Sequence, residues 1–239
     1  MLSIVCPVYN EAENIEKLFN EIDLKIKTHS EIIVVYDMDE DTTIPVIKRI
    51  SGKYKSEIKL IKNFYGIGVL NAIKTGFDNA NGSAVLVVMA DLSDDLRVVD
   101  EMYRLVNDDG YDVVCGSRYM RGGKQIGGPF IKKTLSRLAG LSLHFLTGIN
   151  THDPTNSFKM YSRSFIDSIK IESDGGFEVG IELVSKAFVM NRKITELPSV
   201  WKDRTSGKSR FKMWKWMSKY LKWYFYTFKK FFNSSVSLI

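Results

Sequence analysis

Over residues 1–120, short apolar runs rich in β-branched side chains alternate with amphipathic stretches, a pattern that few folds accept. The runs occupy residues 2–6, 31–36, 58–61, 84–90 and 112–115, and stretches of helical period occupy 12–27, 43–51, 68–78 and 95–107. Strands joined through helices pair in parallel, and a parallel sheet needs cover on both faces. The alternation therefore predicts an α/β chain with a mostly parallel central sheet flanked by helices. The most apolar run, 84–90, is expected at its centre. Ligands of such sheets collect outside the carboxyl ends of the strands. Residues 7–11, 37–41 and 91–95 follow runs directly and are acidic or polar, while 116–119 carries Arg118.

After Arg121 the alternation stops. A stretch containing Gly122, Gly123, Gly127, Gly128 and Pro129 leads into a helical pattern at 131–146, then a loop at 150–156, a helix near 177–190 and a strand near 194–199. With 44% hydrophobic residues in 239, the chain has enough material for a sizeable core, which excludes disorder, collagen-like repetition and a disulfide scaffold. Cys6 and Cys115 each sit in an apolar run and are expected to be reduced core thiols of a cytoplasmic protein. Met1 leads straight into an apolar run, so no amino-terminal signal is expected. No run approaches the roughly 18 apolar residues of a membrane span, so any membrane contact is expected to be peripheral.

The net charge of +6 averages two unlike parts. Residues 1–203 carry 25 basic and 28 acidic side chains, whereas 204–239 carry nine basic and none acidic. In the second part, Phe211, Trp214, Met217, Leu221, Tyr224, Phe225, Phe228 and Phe232 recur at helical intervals among lysines. The reading is a main domain over 1–210 and a basic, aromatic amphipathic helix over 211–239, suited to a bilayer interface on the inner, cytoplasmic face of a membrane. The alternative is a helix packed on the domain or in a dimer interface. Aromatic and basic residues also suit single-stranded nucleic acid, but no nucleic-acid module accompanies them, so no nucleic-acid partner is expected.

Three post-strand clusters carry chemistry. In Pro7-Val8-Tyr9-Asn10-Glu11, an Asn cap and acidic first-turn residues fit helix initiation, and Tyr9 could lie against a flat base. Tyr36-Asp37-Met38-Asp39-Glu40-Asp41 places four carboxylates in five positions; such repulsion favours a functional role, with Asp41 or Thr42 as a helix cap. In Met89-Ala90-Asp91-Leu92-Ser93-Asp94-Asp95, Ser93 fits a cap and the two acids behind it fit the helix dipole. Asp91 precedes that cap and is the better ligand for Mg²⁺ or Mn²⁺ bridging a diphosphate. Glu178 and Glu182 lie one helical turn apart and could share a cleft, and His29, His144 and His152 have no ligand spacing.

These clusters, followed in order by Gly116-Ser117-Arg118-Tyr119, Asp153-Pro154-Thr155-Asn156-Ser157-Phe158-Lys159, Glu196-Leu197-Pro198, Arg204 and Gly207-Lys208-Ser209, resemble a family 2 glycosyltransferase. The likeness is strongest to dolichyl-phosphate mannose synthases and polyprenyl-phosphate sugar transferases. It implies the GT-A form of the Rossmann-like fold. It implies that Pro7, Tyr9, Glu11, Asp37 and Asp39 surround the nucleotide and that Asp91, with Asp94, holds a metal and the diphosphate. Arg118, Lys132 and Ser136 would bind the acceptor phosphate, the lysine standing in for an arginine, and Arg204 would contact the donor diphosphate. Met89 replaces the first acid of the usual Asp-x-Asp, Ser93 the following Gln, Tyr36 the first Asp of the nucleotide loop, and Asp39 its Ser.

The implied reaction moves a hexose from a nucleoside-diphosphate sugar to a polyprenyl phosphate with inversion. A phosphate monoester has a second pKa near 6, so such an acceptor arrives ionised and needs positioning and cations rather than a protein base. An acceptor sugar hydroxyl would need a base. The altered motifs also leave open a catalytically weak scaffold at the membrane surface. A homo-oligomer or a separate membrane anchor is a further partner class.

Overall fold

The computed structural model describes residues 1–203 and 213–230. The chain runs β1 (Leu2–Val8), α1 (Ile15–Lys25), β2 (Ser30–Tyr36), α2 (Thr43–Ile50), β3 (Glu57–Lys62), α3 (Val69–Asp78), β4 (Ala84–Val87), α4 (Val99–Asn107) and β5 (Val113–Ser117). It continues through β6 (Lys124–Ile126), α5 (Phe130–Thr147), β7 (Lys159–Ser162), α6 (Arg163–Asp167), α7 (Val179–Val189), β8 (Ile194–Pro198), β9 (Val200–Lys202) and α8 (Met213–Tyr226). Among the described residues, seven strands form one sheet in the order β3-β2-β1-β4-β7-β5-β8. β1 pairs in parallel with β2 and β4, β2 with β3, and β5 with β8; β7 alone runs antiparallel, between β4 and β5. β6 and β9 form a separate parallel pair. The mostly parallel sheet with β4 at its middle is the expected architecture.

Side-chain alternation divides the core into two layers. On β1, Leu2, Ile4, Cys6 and Val8 pack with Phe19 and Ile22 of α1, Ile47 of α2 and Met102 of α4. Val5 faces the other layer, with Ile73 and Phe77 of α3, Leu183 of α7 and Trp223 of α8. Cys6 and Cys115 are buried and unlinked. Burial pushes the Cys115 thiol up to about 12, so it stays protonated.

The differences from the sequence expectation lie where side chains compete with the ladder. β4 stops at Val87, short of residue 90, because the Met89 N–H turns to Asp94 Oδ2 at 3.2 Å. A single helical turn at Leu96–Val98 precedes α4, and its cap is Asp95, which accepts from the Arg97 N–H, rather than Ser93. Asn10 is not the cap of α1 either; that position is Asn14, and Asn10 takes a left-handed φ of 54°.

Helix α8 is two-sided. Trp223 is 1% exposed, and its Nε1–H donates to Ser173 Oγ at 3.0 Å. Tyr224 donates to Ser142 Oγ of α5 at 3.0 Å. Leu221 and Phe225 are exposed. The expected boundary between 1–210 and 211–239 falls outside the described residues. Among those residues, no helix is long and apolar enough to cross a membrane.

Candidate active site

The carboxyl ends of β1, β2, β4 and β5 bring the post-strand clusters to one edge of the sheet. Pro7, near the end of β1, is half-buried, as is Tyr9 beyond it. The Glu11 N–H donates to Thr43 Oγ1 (2.9 Å), and its carboxylate accepts from Asn14 Nδ2 (2.7 Å). The four carboxylates after β2 have separate tasks. Asp37 accepts from Asn63 Nδ2 (2.9 Å) and the Gly68 N–H (3.1 Å), tying the loop between β3 and α3 to the end of β2. Asp41 is buried and accepts from the Asn10 and Thr43 N–H groups, lacing the first loop to the second. Asp39 pairs with Lys62 at the exposed outer edge. Glu40 is exposed.

Beyond β4, Leu92 has a φ of 60°, uncommon for a bulky side chain. Asp91 Oδ1 accepts from the Ser93 N–H at 3.2 Å, and Asp94 points back to Met89. Burial and the neighbouring Asp91 charge push the Asp94 carboxyl up to about 7, with Arg118 and Lys159 opposing. The charges of Glu11, Asp91 and Asp94 all add to burial in raising the Cys6 thiol. The first and third clusters therefore share one acidic locus.

Among the described residues, no three His, Cys, Asp or Glu side chains are grouped to hold a metal. The Asp91 and Asp94 pair still fits Mg²⁺ or Mn²⁺, which use one or two carboxylates and complete their shell with substrate phosphate and water. The Asp91 charge that helps raise the Asp94 carboxyl is a repulsion that a bound dication would relieve. The Met89 thioether adds nothing for a hard cation.

Beyond β5 the site turns cationic. Arg118 is buried and makes a two-pronged pair with Asp153, Nε to Oδ2 at 2.7 Å and Nη2 to Oδ1 at 2.8 Å. Its backbone N–H also donates to Asp153, at 3.0 Å. Burial would raise the Asp153 carboxyl, but the guanidinium outweighs it and holds the group below the usual range. Arg118 Nη2 reaches Ser136 Oγ (3.1 Å) and Thr155 Oγ1 (3.2 Å), and Tyr119 bonds Ser136 and Gln125, each at 3.0 Å.

A cavity of about 450 Å³ opens here, lined by Arg118, Arg121, Lys124, Lys133 and Arg137 among others, with no carboxylate among the described residues of its wall. A second, apolar cavity of about 480 Å³ adjoins it, shares Lys133 and Arg137, and is walled by Phe130, Leu138 and Leu141.

The structure thus gathers Glu11, Asp91 and Asp94 at one locus and Arg118 with Ser136 at a second, while Asp39 lies at the rim. Lys132 is half-buried on α5, and it is Lys133 and Arg137, one helical turn apart, that line both cavities. Arg204 lies outside the described residues. Glu178 and Glu182 do not line a cleft: both are buried, Glu178 accepting from the Gly175 and Gly176 N–H groups and Glu182 from those of Glu172 and Ser173. Asp153, within a quoted motif but readable alone as a turn residue, is the group that fixes Arg118. Lys159 of the same motif is fully buried, and burial lowers its pKa.

Comparison with known proteins places the fold and the family. The chain is 30% identical over 216 residues to a dolichol-phosphate mannosyltransferase of Pyrococcus furiosus, covering 88% of this chain and 59% of that protein. It is 27% identical to a polyprenol monophosphomannose synthase of Mycolicibacterium smegmatis, over 87% of this chain and 79% of that one. The chain therefore spans well under two thirds of the archaeal relative. In fold it matches glucosyl-3-phosphoglycerate synthase of Mycobacterium tuberculosis in complex with UDP, with a TM-score of 0.69 at 16% identity over 95% of this chain and 79% of that one. Another structure of that synthase, with Mn²⁺, UDP and glucosyl-3-phosphoglycerate, gives 0.67 at 17% identity over 93% and 78%. The sequence model of glycosyl transferase family 2 matches residues 3–170, and the chain belongs to that family.

Proposed function

We propose that this chain transfers a hexosyl group from a nucleoside-diphosphate sugar to a polyprenyl phosphate at the inner, cytoplasmic face of a membrane. The observation that carries the reading is a pair of neighbouring cavities that share Lys133 and Arg137: a cationic one for a phosphate and an apolar one for the chain attached to it. A lipid phosphate is an amphiphile of that division. The names of the two mannosyl-transferring relatives support the same acceptor class.

In this reading a phosphate oxygen attacks the anomeric carbon from the face opposite the leaving group. The new C–O bond forms as the bond to the nucleoside diphosphate breaks, which inverts the centre. The acceptor is already ionised near neutral pH, so no residue has to take its proton. Arg118, locked by Asp153, orients it together with Ser136, and Lys133 and Arg137 balance its charge. Asp37 and Glu11 fix the loops around the nucleotide. Mg²⁺ or Mn²⁺, held by Asp91 and Asp94, would neutralise the departing diphosphate when bound. Arg204 would contact that diphosphate as well.

The membrane reading rests on α5 and α8. Phe130 (80% exposed) and Leu138, which wall the apolar cavity, continue into Ile131, Phe145 (77%) and Leu146 as an exposed apolar stretch of α5, and Leu221 and Phe225 of α8 are exposed as well. Such a face flanked by basic side chains suits an anionic headgroup boundary. The test is purified protein incubated with a panel of nucleotide sugars, Mn²⁺ and a short-chain polyprenyl phosphate. Formation of a lipid-linked sugar is expected with one donor, and its absence with every donor would sink the proposal. A carboxylate needed for transfer but not for donor binding would favour a sugar hydroxyl as acceptor instead.

A further inference from the structure

Glu196 on β8 lines neither cavity, yet its carboxylate is wholly engaged by the loop that carries Asp153. Oε2 accepts from Thr151 Oγ1 at 3.0 Å and from the His152 N–H at 2.7 Å, and Oε1 faces His152 Nδ1. Thr151 Oγ1 in turn accepts from the Asp153 N–H at 3.1 Å. From Asp153 the chain of bonds runs to Arg118 and on to Ser136.

The same loop also seats α5. A Cβ at Gly140 would lie 2.1 Å from the His152 carbonyl oxygen, so the helix backbone rests directly on that residue. The His144 ring, in the last turn of α5, stacks on His152 with centroids 4.0 Å apart and planes 30° from parallel. His144 Nδ1 donates to the Ile149 oxygen at 2.7 Å, which fixes the ring's orientation. Both walls of the cationic cavity, Arg118 just beyond β5 and Lys133 with Arg137 on α5, are therefore registered against residues 151–153, and Glu196 ties that segment to β8.

We infer that Glu196 is a positioning residue for the acceptor phosphate, acting through Thr151, His152 and Asp153 to aim Arg118 and seat α5. The inference rests on the reading of the cationic cavity as the acceptor site. A mere clasp between β8 and the loop would alter stability alone. A positioning residue splits the kinetics, because among the described residues this network's hydrogen bonds run to Arg118, Ser136 and α5 and not to the loops after β1, β2 and β4.

The experiment compares Glu196→Ala and Glu196→Gln in the full chain. Three quantities are read: KM for a short-chain polyprenyl phosphate, calorimetric affinity for UDP and GDP with Mn²⁺, and hydrogen exchange of the Arg118 Nε–H by NMR, assigned with Arg118→Lys. Glu196→Ala is expected to raise acceptor KM about ten- to a hundredfold, the range for one lost charged hydrogen bond. Nucleotide affinity should stay within about twofold, and the Arg118 Nε–H should exchange faster. Glu196→Gln keeps an oxygen for the Thr151 hydroxyl and the His152 N–H, and should recover most of the effect. Unchanged acceptor KM, or acceptor and nucleotide binding weakened in parallel, would overturn the inference. Where Glu196→Ala does not fold, His152→Ala removes one of the bonds and is read in the same way. Where the wild-type chain uses no polyprenyl phosphate at all, the acceptor reading falls, and Arg118 exchange alone decides: faster in Glu196→Ala sustains the positioning role, unchanged ends it.

Discussion

The two sides of the site are fastened by different means. On the side assigned to the donor, carboxylates take the backbone N–H groups of loops: half-buried Asp37 holds Gly68, half-buried Asp91 holds Ser93, and Asp41, itself buried, holds the exposed Asn10. On the side assigned to the acceptor, Arg118 and Asp153 form an ion pair with side-chain exposures of 8% and 0%. Water can serve a loop N–H that loses its carboxylate, but it cannot reach an arginine stranded in the interior. Loop carboxylates that water can reach, such as Asp37, are thus tolerant of single changes, whereas the acceptor side depends on one neutral pair that holds its guanidinium at a fixed angle.

The largest expected effect follows directly. Asp153→Ala strands the Arg118 charge and should lower unfolding free energy by about 3–5 kcal/mol, with loss of transfer. Asp37→Asn, its donor-side counterpart, should cost no more than about 1 kcal/mol. Adding Arg118→Met to Asp153→Ala should recover stability without recovering transfer. Urea denaturation of the three variants checks this, and equal losses for Asp153→Ala and Asp37→Asn would erase the distinction between the sides.

A similar contrast divides α8. Trp223→Ala should cost about 3–5 kcal/mol, because a fully buried indole and its bond to Ser173 are lost. Phe225→Ser, on the exposed face, should leave unfolding unchanged and reduce binding to anionic liposomes. If Phe225→Ser instead destabilises the fold and leaves liposome binding intact, that face packs on protein. Smaller again is Gly140→Ala, where the new methyl meets the His152 oxygen. Strain of about 1–3 kcal/mol is expected, with acceptor KM raised and nucleotide affinity kept.

The donor side was also the legible one. Its strands and helices follow the two periods closely, and its polar residues come directly after each run, so Glu11, Asp37 and Asp91 are placed by the sequence alone. What the period could not give was the end of β4, because a side chain at Asp94 diverts the Met89 N–H. The acceptor side was visible mainly through the family resemblance. β7 has four residues, too few for a periodic signal, and runs against its neighbours. β6 and β9 pair across a long stretch of chain, through contacts no local pattern announces. Lys132 and Lys133 differ by 100° around α5, and the phase that turns Lys133 to the cavities is set by the contact of Gly140 with His152, a tertiary fact.

The smallest effect concerns a carboxylate at the opposite end of the strands. Glu31, at the start of β2, is buried and accepts from Ser3 Oγ (2.5 Å), Lys59 Nζ (2.6 Å) and the Asn81 N–H (2.7 Å). Burial alone would raise its carboxyl, but the Lys59 ammonium and these donors outweigh burial and hold it below its ordinary value of 4.5. A group depressed in the folded chain contributes stability that is full above its unfolded pKa and is lost as pH falls through the folded one. Glu31→Gln should therefore lower stability at neutral pH and flatten the acid side of the stability profile below about pH 5. Transfer at neutral pH should be unchanged, since no bond joins Glu31 to either cavity. Urea midpoints measured from pH 3 to 7 in both chains decide it. Parallel acid slopes would mean that Glu31 contributes nothing to acid unfolding and that other depressed carboxylates, Asp100 and the buried Asp153 among them, carry it instead.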